Sequence, residues 1–178
     1  MKRISAPLQK DQIKDLKPGE EVLLAGTVYT ARDQAHKRMA LALEKKEALP
    51  LELDGQVIFY CGPTPPGERV IGSCGPTTSS RMDPFTPAIL RAGVKGLIGK
   101  GKRSPEVARA IKEKGAVYFI APGGAGAYLS ERVRQSRVVA FEGLGTEAIY
   151  MLEVEDFPLV VGIDSQGRDI YAKEEGEQ

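Results

Sequence analysis

VKGLIGKGKRSPEVARAIKEKGAVYFI, residues 94–120, contains two short apolar runs separated by a segment with helix-start signals. The runs at residues 96–98 and 117–120 are typical of buried strands. Ser104 and Pro105 suit the cap and the first position of a helix, so residues 105–114 are predicted to be helical. Two strands joined by a helix favour parallel pairing, and an α/β fold is therefore predicted.

The same alternation continues on both sides of this unit, with an edge strand and a turn expected at residues 4–16. The further strands of the core are predicted at 22–29, 56–60 and 70–74. The further helices are predicted at 35–43, 84–92 and 127–134. The last part of the chain is richer in strands, which are predicted at 138–141, 148–154, 159–163 and 169–171, with a hairpin signal at 165–167.

Composition limits the possible classes of protein. The chain has 178 residues, of which 42% are hydrophobic, so we expect one domain over residues 1–178 with frayed ends at 1–3 and 174–178. A net charge of +1 without a basic stripe argues against nucleic-acid binding. No apolar run approaches the roughly 20 residues that span a bilayer, and no signal-peptide core follows Met1. Two cysteines without a required disulfide favour a cytoplasmic protein.

Residues 75–83, Gly-Pro-Thr-Thr-Ser-Ser-Arg-Met-Asp, form a hydroxyl-rich segment at a predicted strand-to-helix junction. The strand at 70–74 leads in, while Asp83 and Pro84 are predicted as the N-cap and first helical residue. Such junctions at the carboxyl ends of strands often bind ligands, and the hydroxyls and guanidinium suit an anion. The alternative is a turn in which the hydroxyls satisfy only local backbone groups.

A second junction, residues 30–36, places an arginine and the only histidine of the chain near a helix start. Thr30 is predicted to cap this helix, with Asp33 in a position resembling a capping box. Arg32 is then expected in the first turn and His36 one turn later on the same face. Because a cation in the first turn opposes the helix dipole, Arg32 indicates an anion site. His36 is a candidate site residue, although a single helical histidine is more often structural.

A third junction, Gly99-Lys100-Gly101, follows the strand at 96–98. Its glycines permit close backbone approach to a ligand, and Lys100 supplies a compact positive charge. Lys102 is interpreted instead as part of a solvated basic turn. One cation at each of three junctions predicts a small polyanionic ligand.

These motifs occur together in one known family. TARDxAH at 30–36, GPTTxxRMD at 75–83 and GKG at 99–101, followed by EAI at 147–149 and VEDFP at 154–158, span nearly the whole chain. In this order they resemble the β subunit, or C-terminal domain, of iron–sulfur hydro-lyases of the class I fumarase and tartrate dehydratase family. The resemblance implies a three-layer β/β/α swivelling domain with a mostly parallel central sheet.

The resemblance also implies an activity, the reversible hydration of fumarate to L-malate in an active site shared with an α subunit. Tartrate dehydration is the alternative within the family. The residues expected to bind the substrate carboxylates are Arg32, Thr78, Arg81 and Lys100. The residues expected to take part in catalysis are Thr77, Arg81, Lys100 and His36.

Thr77 is assigned the proton on the carbon next to a carboxylate, again from the resemblance. A neutral hydroxyl is a weak base, so Thr77 requires neighbouring cations or a relay through another group. Arg81 and Lys100 are the expected sources of that field. Asp33 and Asp83 are the alternative proton acceptors, although each also has a simpler role at a helix start.

Members of this family hold a [4Fe–4S] cluster through three cysteines of the other subunit or domain. This chain has only Cys61 and Cys74, both interpreted as structural, so the cluster is expected on a partner α subunit in a heterodimer or a dimer of heterodimers. Two other classes stay open, a non-catalytic carboxylate-binding domain and an unrelated enzyme of phosphorylated metabolites. The glycine-rich residues 122–127 lack the phosphate-loop pattern and are predicted to form a tight strand-to-helix turn.

Overall fold

Seven strands and five α-helices occur in the residues that the computed structural model describes, 1–122 and 124–174. The strands are β1 (Lys2–Ala6), β2 (Glu21–Thr30), β3 (Val57–Phe59), β4 (Gly96–Gly99), β5 (Val117–Ile120), β6 (Val133–Ala140) and β7 (Ile149–Ile163). The α-helices are α1 (Lys10–Ile13), α2 (Asp33–Glu44), α3 (Thr86–Arg91), α4 (Pro105–Lys114) and α5 (Gly126–Ser130). Short 3₁₀-helices cover Ser79–Met82, Glu142–Glu147 and Ile170–Glu174. None of the described helices is long and apolar enough to cross a membrane.

Strand β7 closes the sheet into a ring of five strands. Strands β2, β3, β4 and β5 lie side by side in parallel, and β7 is antiparallel to both β5 and β2. Strand β1 adds to β2 in parallel, and β6 adds to β7 in the antiparallel sense. The fold is therefore mixed α/β, with four parallel and three antiparallel pairings. This closed, mixed sheet differs from the predicted three-layer domain with a mostly parallel sheet.

The length of β7 explains this difference. Separate strands are predicted at 148–154 and 159–163, and the residues between them include Asp156 and Pro158, residue types that are uncommon inside strands. In the structure the chain continues through both as one strand of fifteen residues, with Asp156 at φ 50° and a register shift opposite residues 24–26 of β2. A strand of this length pairs with β2 on one side and with β5 and β6 on the other.

Residues 70–74 do not form the predicted strand. Val70 is 52% exposed, and Ile71 and Cys74 are the members of this segment that pack in the core. The backbone bonds to segments outside the sheet, since the Cys74 amide donates to the Gly126 carbonyl at the start of α5 and the Ser73 carbonyl accepts from the Thr64 amide. A Cβ at Gly72 would lie 2.0 Å from the carbonyl oxygen of Thr64, so the segment is packed tightly against a neighbouring loop and not against a strand.

Predictions near the middle of the chain agree best with the structure. The helix at 105–114 and the strand at 117–120 are confirmed with the predicted bounds, and Ser104 Oγ caps α4 by accepting from the Val107 amide. The helix predicted at 84–92 is shorter, Thr86–Arg91, and the one predicted at 127–134 ends at Ser130. It ends there because the chain turns and enters β6 at Val133.

The two ends of the chain also differ from expectation. Lys2 and Arg3, predicted to be frayed, lie in β1 at the edge of the sheet. The strand predicted at 169–171 lies mostly in a 3₁₀-helix, and Asp169 bridges Ile163 across the turn at 165–167. Residues 175–178, part of the other predicted frayed end, lie outside the described residues.

Alternate residues of the central strands enter two different hydrophobic clusters. Val57 and Phe59 of β3 belong to the cluster that fills the ring, where Phe59 packs edge-to-face on Phe157 at 5.6 Å between ring centres. Ile58 belongs to a second cluster that includes residues of α2, α3 and α4, such as Met39 of α2. Both faces of β3 are therefore buried, which explains its continuous apolar sequence.

We expect Gly26→Ala to destabilise the fold by about 2–4 kcal/mol. Gly26 has φ +96°, and a Cβ there would lie 2.3 Å from the Ala6 carbonyl oxygen of the adjacent strand β1. Gly143→Ala is the matched control, because a Cβ at Gly143 meets no other atom within 4 Å. The free energy of unfolding from urea titrations measures both effects. Equal values for the two variants would contradict this account of the β1–β2 packing.

Candidate functional site

The three predicted junctions lie at one edge of the ring, where parallel strands β2, β3 and β4 end. The chain after β2 is held to β3 by the Ala31 amide, which donates to the Phe59 carbonyl at 3.0 Å. The chain after β3 is held to β4 by the Tyr60 amide, which donates to the Ile98 carbonyl at 2.8 Å. Carboxyl ends of neighbouring parallel strands commonly carry ligand sites, so this edge is the candidate site.

Residues 77–79 run alongside Lys100 like a short extra strand. The Thr77 amide donates to the Tyr60 carbonyl at 2.6 Å, and the Ser79 amide donates to the Lys100 carbonyl at 3.0 Å. Thr78 and Lys100 form a parallel β-bridge. Thr77 is half-buried, whereas Thr78 and Lys100 are exposed. The structure therefore brings the predicted hydroxyl loop and the predicted lysine together.

Gly99 makes this close packing possible. A Cβ at Gly99 would lie 1.9 Å from Ser79 Oγ and 2.7 Å from Cδ2 of Tyr60. Any side chain at the end of β4 would push the hydroxyl loop away from the strand. Gly99 thus allows close packing within the chain. The sequence predicts instead that it allows a ligand to approach the backbone.

Arg81 is paired with Asp33, which lies at the start of α2. Arg81 Nη2 donates to Asp33 Oδ2 at 2.7 Å, with 52% and 28% of the two side chains exposed. Asp33 does not act in a capping box, because the N-cap of α2 is Arg32 and makes no side-chain capping bond. Thr30 is not the cap either, since its Oγ1 accepts from the Tyr150 amide. The ion pair joins two of the three junctions.

Arg32 extends along the chain that follows β3. A Cβ at Gly62 would lie 2.9 Å from Cδ of Arg32 and 3.0 Å from the Thr146 carbonyl oxygen. The Arg32 Nε is buried and has no hydrogen-bond partner among the described residues. Arg32 is the N-cap of α2, two positions earlier in the helix than predicted with Thr30 as the cap, and the absence of a side chain at Gly62 leaves room for it.

His36 lies inside the protein and not on a face shared with Arg32 at the surface. Its side chain is fully buried between Tyr60, 5.3 Å away between ring centres, and Phe85, at 6.4 Å. Its Nδ1 lies 2.8 Å from the Arg32 carbonyl oxygen, which fixes Nδ1 as the donor. Burial above all, together with the Arg103 charge, lowers the pKa of His36 to about 4, against the opposing effects of the Arg32 hydrogen bond and the Asp33 charge. The neutral imidazole is therefore part of the support of α2.

Arg103 and Asp83 form a buried pair below the hydroxyl loop. Arg103 Nε donates to Asp83 Oδ1 at 2.7 Å, and the Ser104 amide donates to Asp83 Oδ2 at 2.9 Å. The prediction that Asp83 is the N-cap of the helix that follows it is therefore wrong. Asp83 instead accepts a hydrogen bond from the Ser104 amide at the start of α4. The sequence indicates no role for Arg103. Its pairing with Asp83 could not be predicted, because the two residues lie in separate loops and no regular spacing relates them.

Part of the glycine-rich segment supports the hydroxyl loop from the other side. A Cβ at Gly126, the first residue of α5, would lie 2.9 Å from the Gly75 amide nitrogen and 2.3 Å from Ser73 Oγ. The segment between β5 and α5 is the predicted strand-to-helix turn, with Gly123 outside the described residues. Lys102 is exposed as predicted and lies 5.8 Å from the centre of the Tyr171 ring.

The residues of this chain do not fit an iron–sulfur cluster held by three thiolates. The sequence has two cysteines, and Cys61 and Cys74 are both buried and free. Within residues 1–122 and 124–174, no three His, Cys, Asp or Glu side chains are grouped for a metal ion. The arrangement at the ring edge is instead suited to binding a small anion through Arg32, Arg81 and Lys100.

Comparisons with known proteins agree with the family predicted from the motifs. A Methanocaldococcus jannaschii protein provisionally named L(+)-tartrate dehydratase subunit beta is 38% identical over 171 residues, which cover 92% of this chain and 88% of that protein. The L(+)-tartrate dehydratase subunit beta of Escherichia coli K12 is 32% identical, with 97% and 88% covered. Fumarate hydratase 2 of Leishmania major is 36% identical over 96% of this chain, which spans only 31% of that protein.

The family described as the fumarase C-terminus matches residues 2–174, almost the whole chain. Such a match, together with relatives above 30% identity along most of the sequence, confirms the predicted resemblance. The chain belongs to the fumarase C-terminus family of hydro-lyases.

Proposed function

We propose that this chain is the β subunit of a heteromeric hydro-lyase that hydrates fumarate reversibly to L-malate in a site shared with an α subunit. The observation that carries the proposal is the convergence of Arg32, Arg81, Lys100 and the Thr77 hydroxyl loop at one edge of the ring. A dicarboxylate needs two sets of cationic partners, and this edge supplies three cations. Relatives named fumarate hydratase support the reaction class.

Dehydration of L(+)-tartrate is the second candidate, and one observation favours it. The chain matches 88% of each of two relatives named as tartrate dehydratase β subunits, but about a third of the fumarate hydratases. Both substrates carry two carboxylates, so the same cations suit either one. In this alternative, residues of the α subunit recognise the additional hydroxyl of tartrate.

In the proposed site the cations bind and orient the substrate. Arg81 is aimed by Asp33, so its guanidinium keeps free donors on the side away from that carboxylate. Lys100 is set beside Thr78 by the backbone bridge, which allows the Thr78 hydroxyl and the Lys100 ammonium to contact one carboxylate together. Arg32 is placed by the N-terminus of α2 to bind the second carboxylate.

Thr77 is the proposed proton-transfer residue, with its Oγ removing or returning the proton on the carbon next to a carboxylate. Its backbone is fixed by the short bond to Tyr60, and its side chain is half-buried. The alternative acceptors are both engaged, since Asp83 is bonded to Arg103 and Asp33 to Arg81. The cations Arg81 and Lys100 favour the charged form of a neighbouring hydroxyl.

The α subunit is proposed to carry the [4Fe–4S] cluster, which supplies a Lewis acid for the departing hydroxyl when it is bound. A heterodimer or a dimer of heterodimers follows from the β-subunit resemblance. Buried free cysteines suit a reducing compartment such as the cytoplasm. The alternative is a carboxylate-binding domain without catalysis, and turnover by the complex with an α subunit would exclude it.

We expect activity only when both chains are present. The chain is co-expressed anaerobically with a hydro-lyase α-type chain, and fumarate formed from L-malate is followed by its ultraviolet absorbance. Each chain alone, and the complex after exposure to oxygen, should be inactive. A complex that consumes tartrate and ignores malate would replace the first candidate with the second. A complex that binds dicarboxylates but converts neither would leave only the binding domain.

Thr77→Ala in that complex should lower kcat by about 10²- to 10⁴-fold, because it removes the proposed proton-transfer group. KM should change by less than about threefold, because the cations that bind the carboxylates are retained. Ser80→Ala is the matched control, since Ser80 is an exposed hydroxyl in the same loop, and it should keep the kcat of the original complex. Full turnover by Thr77→Ala would remove the proton role from this residue.

His36 should make unfolding dependent on pH between about 6.5, its ordinary pKa, and 4. Burial lowers the pKa of folded His36 to about 4, with the charges of Arg103 and Asp33 acting in opposite directions. The unfolded chain binds a proton in this range and the folded chain does not, so the free energy of unfolding falls as the pH falls, by up to about 3 kcal/mol.

Urea titrations of the original chain and of His36→Asn across this range measure the effect. Asparagine keeps an N–H for the Arg32 carbonyl but does not titrate, so the variant should have the flatter profile. Contributions from carboxylates are common to both proteins and cancel in the comparison. Identical slopes would show that His36 is solvated, in contradiction to its burial.

A further inference from the structure

Arg103 is a buried cation outside the set of residues that we assign to the substrate. Its side chain has no exposed surface, and besides the bond to Asp83 its Nη2 donates to Thr86 Oγ1 at 2.9 Å and to the Tyr60 hydroxyl at 3.1 Å. Its Cζ also lies 5.1 Å from the centre of the Tyr60 ring and 4.9 Å from that of Tyr118. A buried charge is costly unless it is paired, so these partners must stay in place around it.

One set of these contacts holds the hydroxyl loop. Asp83 directly follows the 3₁₀-helix Ser79–Met82 that carries Arg81, and the ion pair with Arg103 ties this end of the loop to α4. The Tyr60 carbonyl accepts a hydrogen bond from the Thr77 amide, and the Tyr60 hydroxyl accepts one from Arg103 Nη2. Arg103 is thus linked to the loop on both sides of the candidate residues.

A second set of contacts holds the loop that carries Lys100. The Tyr118 ring packs on the Arg103 guanidinium, and its hydroxyl donates to the Gly101 carbonyl at 2.8 Å. The same hydroxyl lies 2.9 Å from Ser79 Oγ. Tyr118 therefore bonds to both loops while it is packed against Arg103.

We propose that Arg103 is a positioning residue that sets the distance between the Thr77 hydroxyl and the Lys100 ammonium. This inference rests on the function proposed above, and it gives Arg103 no contact with the substrate. Arginine is required because its planar group donates in several fixed directions and stacks on aromatic rings at the same time. A lysine keeps the charge, but its single nitrogen cannot take the place of both Nε, which bonds to Asp83, and Nη2, which bonds to Thr86 and Tyr60.

The test uses the co-expressed complex and the variant Arg103→Lys. We expect kcat to fall by about 10- to 100-fold, because small displacements of reacting groups have effects of this size. KM should rise by less than kcat falls, because each loop keeps its own cation. Arg109→Lys, an exposed arginine on helix α4, which begins just after Arg103, is the matched control and should leave both constants unchanged.

Amide hydrogen exchange supplies a readout that does not depend on turnover. In Arg103→Lys the amides of Thr77 and Ser79, which bond to Tyr60 and Lys100, should exchange at least about tenfold faster. Amides in the distant pair β6–β7 should exchange at the original rate. A uniform increase across the chain would indicate general destabilisation and would overturn a positioning role.

Asp83→Asn is the second variant, because it retains the shape of the side chain and removes the charge that faces Arg103. It should reproduce the fall in kcat, and the double variant should be no worse than the more impaired single variant, since both act on one network. Original kcat in Arg103→Lys at a temperature where it is fully folded would overturn the proposal. If the unmodified complex converts neither malate nor tartrate, the proposed function fails, while the exchange rates still decide the role of Arg103.

Discussion

The pairing of β7 with both β2 and β5 is the constraint on which the rest of the structure depends. Without this pairing the parallel strands β2 to β5 would form an open sheet, because nothing would join the edge strand β5 to the edge strand β2. With it they enclose a cluster that contains Phe59, Phe119 and Phe157. Closure removes the free edges of β5 and β2. Because β2, β3 and β4 are parallel, their carboxyl ends meet at one edge of the ring, and the candidate site is built there.

The sequence identifies these strands but not their closure. Val57 and Phe59 face the ring while Ile58 faces the helices, so the strand is apolar throughout, and such a run is recognisable in the sequence. Asp156 and Pro158 are residue types that are uncommon inside strands, yet both lie within β7. The chain continues through this segment because Asp156 adopts a positive φ and the register shifts. Those two events depend on the pairing partner, and no local pattern encodes them.

In the candidate site, too, the sequence identifies some features and misses others. Thr77, Arg81, Lys100 and Arg32 are identified because each stands in a short motif next to a predicted strand end. The structure brings these motifs to one edge, although the strand predicted before Thr77 does not form. The environment of a side chain is a different matter. His36 looks like an exposed partner of Arg32 in the sequence but is buried against Tyr60. Arg103 looks like one more residue of a basic turn, and only its partner Asp83, twenty residues away along the chain, makes it distinct.

The two ion pairs near the site differ in how strongly they hold their arginines. The Arg81–Asp33 pair is partly exposed, and pairs of this kind contribute about 0–1 kcal/mol, so in the proposed function a substrate carboxylate can share or replace Asp33 at little cost. The Arg103–Asp83 pair is buried, and separating a buried pair leaves an uncompensated charge, which costs about 3–5 kcal/mol. In the proposed function, the pair exposed to water is the one that yields to a ligand, and the buried pair is the one that holds the loops in place. A site that binds a dianion at the surface of this subunit requires both properties, because its cations have to be available while the loops that carry them stay fixed.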